Sequence, residues 1–220
     1  MRPTNEDPGS TPDPMLLAMV IEQMRDEGAQ SLANLSLALG MVMGPLDDLG
    51  TGLPPRVRAI LLGSIRRETK HEQQRLQHAL AWATARGLVF FTEAQDSPRY
   101  AATPAGLRWS IATYEECGRE TAHGGHPQAL AASLCNLLCC EPDMTDGELM
   151  ERLVPVPEME RGADTAGRRA MFAAMTAERP RALEAATRTA QELGWITFEA
   201  GLRALTPLGN STVRSMQNGR

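Results

Sequence analysis

Two stretches of this 220-residue chain hold side chains whose types and spacing could do chemistry. The first is "RRETKHEQQRLQH", residues 66–78. With Leu76, Leu80 and Ala83 on the inner stripe of an amphipathic helix, Arg67, Lys70, Gln74 and His78 share the opposite face. Arg66 and Arg75 fall on the flanks, and the small Ala81 and Ala85 permit close approach on the same side. Amide and imidazole groups can reach base edges while guanidinium and ammonium groups neutralise phosphates, so such a ridge suits nucleic acid. It equally suits a solvated helix carrying pairs such as Glu72 with Arg75 at i, i+3.

The second stretch, "CGRETAHGGHPQALAASLCNLLCC", gathers Cys117, His123, His126, Cys135, Cys139 and Cys140. Thiolates and imidazoles are zinc ligands, and Cys135 and Cys139 share a helical face. No Cys-x-x-Cys pair is present, however, and the cysteines lie among Leu130, Leu134, Leu137 and Leu138. We therefore expect small buried hydrophobes here, with no metal and no cofactor. The histidines fit an inter-domain bend, "TAHGGHP". Asp47 and Asp48, with no histidine or phosphate loop nearby, read as caps or solvated charges. Met15, Met19, Met24, Met41 and Met43 read as core packing or a dimer seam, and Trp82 as packing under an extra helix inserted before its own. No nucleophile–base motif, glycine-rich phosphate cradle or metalloprotease signature occurs, so no enzyme is expected.

Charge distribution sharpens the first reading. The chain carries a formal −5, which argues against indiscriminate coating of nucleic acid. Six cations against two carboxylates nevertheless leave residues 54–78 at +4, so the remainder holds −9. A basic segment in an acidic protein is what site-restricted phosphate binding requires. Aromatic content is 4% against 42% hydrophobic residues, which favours a helical protein over a sandwich or barrel. No apolar run is long enough to span a bilayer, and the opening "MRPTNEDPGSTPDP" is polar, acidic and proline-rich. The expectation is a disordered tail over 1–14, a cytoplasmic location, reduced thiols and no membrane partner.

The elements that would position these side chains occur twice. At a separation of 107 positions Leu76 matches Leu183, Ala79 Ala186, Ala83 Ala190, Gly87 Gly194, Val89 Ile196 and Phe91 Phe198. Thr103, Pro104 and Gly106 then match Thr206, Pro207 and Gly209 at 103, the difference falling in a loop between two short apolar runs. Each copy predicts a helix ending at a glycine, a hairpin, and a helix opened by Thr-Pro. Upstream, "DPMLLAMVIEQMRDEG" and "HPQALAASLCNLLCCEP" predict first helices, "SLANLSLALGM" and "MTDGELMERL" second helices. An extra helix is expected from "PPRVRAILLGSIRRE" and from "TAGRRAMFAAMTAERP". The fold class is thus mainly α with small β-hairpins, in a first domain at 15–122, a linker at 123–127 and a second domain at 128–220.

Three helices, a hairpin and a closing helix near "TPxG" resemble a winged-helix domain. The phrase "ARGLVFFTEAQDSPRYAATPAGLRW" is similar in layout to the recognition helix, wing and following helix of MarR- and PadR-type bacterial regulators. The resemblance implies two tandem winged helices in which a third helix enters the major groove of double-stranded DNA and the wing touches the backbone. The positions implicated are Arg66, Arg67, Lys70, Gln74, Arg75 and His78, with Arg99 on the wing. In the second copy, Glu178, Arg181, Ala185, Arg188 and Glu192 are expected outward, with Arg203 on a tight Ala200-Gly201 wing. Carboxylates there would oppose phosphates, so that copy is expected to serve assembly, as a homodimer or with a protein partner. The alternatives are a protein-interaction adaptor, such as a kleisin-binding subunit of a chromosome-condensing complex, and a plasmid replication or partition accessory. Fold alone does not choose among them.

Overall fold

In the computed structural model the residues described are 11–40, 55–93, 98–123, 127–157, 165–199 and 202–218. Met41, Met43, Asp47, Asp48, His126 and the Ala200-Gly201 turn lie outside them, as do the side chains of Arg58 and Arg66. The described residues form a mainly helical protein with small antiparallel strand pairs, divided into two compact units, 1–113 and 114–220. Among them no helix is long and apolar enough to cross a membrane.

The first unit runs α1 (Pro14–Glu27), β1 (Gln30–Ser31), α2 (Leu32–Ala38), α3 (Pro55–Ala85), β2 (Val89–Glu93), β3 (Pro98–Ala102) and the start of α4 (Pro104–Ala122). Asp13 caps α1 by accepting from the amides of Met15 and Leu16, and its other oxygen lies 3.6 Å from Arg75. Asp13 and Pro14, expected in the tail, thus belong to the start of a helix. The strands form one antiparallel sheet ordered β1-β3-β2, with Phe91 opposite Tyr100 and Ser31 opposite Arg99. The two-residue β1 carries no alternating pattern, so its pairing was not legible beforehand. Leu17, Ile21 and Met24 of α1, Leu35 of α2 and Leu76, Ala79, Leu80 and Ala83 of α3 make the core with Val89.

The second unit holds the end of α4, then α5 (Pro127–Cys140), α6 (Asp146–Leu153), α7 (Ala166–Glu192), β4 (Ile196–Glu199), β5 (Leu202–Leu205) and α8 (Pro207–Asn218). A capping box opens α6: Thr145 and Glu148 each accept from the other's backbone amide. Leu130, Leu134, Cys135, Leu149, Leu183, Ala186, Ala190 and Ile196 belong to its core.

The twice-written Thr-Pro-x-Gly has one mechanical role in both units. Gly87 and Gly194 end α3 and α7 at φ +67° and +69°, the left-handed conformation that favours glycine. The Thr103 amide donates to the Leu88 carbonyl at 3.1 Å, and its hydroxyl donates to the Gly87 carbonyl at 2.7 Å while accepting from the Gly106 amide at 3.0 Å. Thr206 repeats this with Trp195, Gly194 and Gly209 at 3.0, 2.6 and 3.0 Å. One threonine thus fastens the hairpin, the helix before it and the helix after it. A Cβ on Gly106 would stand 2.0 Å from the Leu88 carbonyl oxygen, and one on Gly209 2.1 Å from that of Trp195. Glycine is required because the closing helix crosses another backbone at contact distance.

Two expectations are corrected. The extra helix and the third helix are one continuous helix in each unit, α3 of 31 residues and α7 of 27. Nothing in 55–85 breaks a helix except Gly63, which costs about 1 kcal/mol at most. In α7, Pro180 lacks the N–H that an interior position donates, yet the helix continues. It is held on both sides: Arg179 Nε donates to the Val154 carbonyl at 3.1 Å, and Ala182 and Leu183 are buried in the core. The division between units also falls within α4 rather than at 123–127. A Cβ on Gly118 of α4 would approach the Met171 carbonyl oxygen of α7 to 2.3 Å, and Gly167 of α7 lies as tightly on the Tyr114 ring. The later part of α4 thus packs as a member of the second unit.

Candidate nucleic-acid interface

The inner stripe of α3, Leu76, Leu80 and Ala83, is fully buried, which turns the opposite face outward. Arg67, Lys70 and Gln74 stand exposed there, spanning about 10 Å along the helix at 1.5 Å per residue. That length matches the roughly 12 Å width of a DNA major groove. Arg67 Nε donates only to the Gly63 carbonyl one turn back, at 3.2 Å. Neither Arg67 nor Lys70 has a carboxylate partner among the described residues.

The flanking positions differ. Arg75 is committed, with Nη1 3.0 Å from a Glu72 oxygen and Nη2 3.6 Å from Asp13. His78 is half-buried, and its Nε2 is shut away from solvent without a hydrogen-bond partner, so that nitrogen does not extend the ridge. Arg66 lies on α3, its side chain outside the described residues. Arg99 is exposed on β3, paired across the strands with Thr92 and Ser31, and has no carboxylate partner among the described residues. Trp82 meets Trp109 of α4 at 6.4 Å between ring centroids, and the Arg86 guanidinium stacks on its indole at 3.8 Å. Its packing partner is thus the closing helix, and the extra helix expected over it is instead the first part of its own helix, α3.

Counting 107 residues on from Arg67, Lys70, Gln74 and His78 gives Ala174, Ala177, Arg181 and Ala185 on α7. This face is covered in part: a Cβ on Gly118 would lie 3.1 Å from the Ala174 Cβ, which places α4 against that residue, whereas Ala177 and Arg181 are exposed. Glu178, expected outward, is buried beneath this cover and accepts from Arg181 Nη1 at 2.9 Å. Arg188 is engaged with Glu184 at 2.8 Å. Arg203, expected as a wing cation, contacts Asp146 and donates from Nε to the Thr187 hydroxyl at 3.0 Å. Ala174 together with Gly118 and Gly167 was the available sign of a covering helix.

Burial pushes the Cys135 thiol up to about 11, while Cys139 and Cys140, expected inside, are exposed at the end of α5. The inward stripe is Leu130, Leu134, Cys135 and Leu138, which leaves the last two cysteines beyond it. Among the described residues no three of His, Cys, Asp and Glu are placed to hold a metal ion. No protein-family model, curated protein or solved structure matches this chain.

Proposed function

We propose that the chain is a cytoplasmic, sequence-specific DNA-binding transcriptional regulator of bacterial type, built from two winged helices. Its first unit reads double-stranded DNA and its second serves assembly. The observation that carries this reading is the exposed ridge of Arg67, Lys70 and Gln74, on a helix that leads into a hairpin bearing the exposed Arg99. Gln74 supplies base-edge donors and acceptors, and the cations hold phosphates. The test is a salt series on DNA affinity with the full chain and with Arg67→Ala/Lys70→Ala. The double variant should bind about 10- to 100-fold more weakly at 0.1 M salt and lower the slope of log K against log salt by about 2. An unchanged slope sinks the assignment.

A second reading, the protein-binding adaptor, is favoured by one observation. The second unit exposes Leu202 at 62%, Leu208 at 54% and Phe198 at 45% around its hairpin and closing helix. If that surface is the principal site, a stoichiometric protein partner is retained without nucleic acid, and Phe198→Ser/Leu202→Ser releases it while Arg67→Ala/Lys70→Ala does not.

A further inference from the structure

Where α4 covers α7, the second unit opens into a cleft of about 750 Å³, a size typical of small-molecule sites. One wall is apolar, formed by Pro127, Leu130 and Ala185. The other carries charge, and Glu178 is its central group. This side chain is only 8% exposed. Its Oε1 accepts from Arg181, but its Oε2 has no hydrogen-bond partner, although His123 Nε2 stands 3.3 Å away. A buried carboxylate oxygen short of a donor is costly, and a ligand that donates to it removes that cost.

The remaining charges select the sign of that ligand. Of the two guanidiniums lining the cleft, Arg181 is held by Glu178 and Arg119 by Glu116 at 3.1 Å. Glu120 lines the cleft without an ion pair among the described residues. Among the described residues the lining therefore holds three carboxylates against two committed guanidiniums, with His123 as the one further titratable group. Anions are repelled and N–H donors bearing positive charge are attracted.

We propose that this cleft binds a small organic ammonium ion. The ammonium group donates to Glu178 Oε2, taking the position over that oxygen that the half-exposed His123 ring now holds. The apolar remainder, of about one ring in size, lies against Leu130, Pro127 and Ala185. The site is independent of whether the first unit binds DNA.

Benzylammonium is the probe, with benzyl alcohol and benzoate as neutral and anionic analogues of the same shape. Binding to the full chain is followed by amide shifts of Leu130 and Ala185 in ¹H–¹⁵N NMR titrations. Benzylammonium should bind about tenfold more tightly than benzyl alcohol, and benzoate should not bind. Glu178→Gln should lose about tenfold in affinity for the ammonium and nothing for the alcohol. His123→Ala should gain affinity by uncovering the oxygen. Should Glu178→Gln not fold, Ala185→Phe leaves the carboxylate in place, fills the apolar wall and should abolish binding. Equal affinity for ammonium and alcohol, full affinity in Glu178→Gln or in Ala185→Phe, or saturating shifts confined to residues outside the cleft would each overturn the proposal.

Discussion

Along α3, the positions facing away from Leu76 hold Arg67, Lys70 and Gln74, all exposed; along α7, the positions facing away from Leu183 hold Ala174, Ala177 and Arg181. Both helices bury the same stripe and end in the same glycine-and-threonine clasp. What separates them is the other side. On α7 a second helix lies against Ala174 at a distance that even one methyl group would obstruct, so that position must be small, and the exposed Arg181 further along is paired with Glu178. On α3 the ridge of Arg67, Lys70 and Gln74 is exposed, and neither cation has a carboxylate partner among the described residues. The inner face of a helix fixes its place in the unit, whereas its outer face records what it must meet.

The largest effect that would break this comparison is steric. Gly118→Ala puts a Cβ 2.3 Å from the Met171 carbonyl oxygen and should cost about 3 kcal/mol, lowering the melting temperature by roughly 10 °C. Gly63→Ala on α3, where an added Cβ meets nothing within 4 Å, should hold stability or raise it by about 0.5–1 kcal/mol. Thermal unfolding decides, and equal shifts for the pair would show that the two helices are not differently covered.

The two hairpin arginines give a smaller, crossed effect. Arg203→Ala removes the contacts with Asp146 and Thr187 and should destabilise by about 1 kcal/mol while leaving DNA affinity alone. Arg99→Ala, which removes no carboxylate partner among the described residues, should leave melting unchanged and weaken DNA binding by a few-fold. If both arginines move the same observable, the division of labour between the hairpins is wrong.

The smallest effect sharpens the description of the second unit's interior. Iodoacetamide at pH 8 should modify Cys139 and Cys140 and spare Cys135, read by peptide mass spectrometry. Because the folded thiol holds its proton above the ordinary value of 9.0, the folded state binds more protons than the unfolded one over that interval. The Cys135 contribution to stability is therefore intact below pH 9.0 and is lost as pH climbs towards about 11. Cys135→Ser, with no thiol to titrate, should lose less stability over that interval.

Much of the frame was legible because its determinants are local. The matched pairs Leu76 and Leu183, Ala79 and Ala186, and Val89 and Ile196 are buried as matched pairs, and both terminal glycines take the left-handed conformation. The caps were legible for the same reason: Thr103 and Thr206 act on residues three positions ahead. What escaped depended on partners distant in the chain. Pro180 read as a helix end because the tether from Arg179 to Val154 is not a local pattern. Glu178 read as an outer residue because the groups around it on α4 and α5 are distant in the chain. His78 shares the ridge's periodicity, yet its Nε2 is enclosed, a matter of packing that spacing does not encode.

The helix that leaves the first hairpin does not stop where that unit stops. From Tyr114 onward its residues serve as interior lining for α7, with Tyr114 itself buried against Gly167. Anyone dividing the chain for separate expression after His123 would strip α7 of that lining and bare the Glu178 carboxylate to water. A workable second-unit fragment has to begin inside α4, before Tyr114.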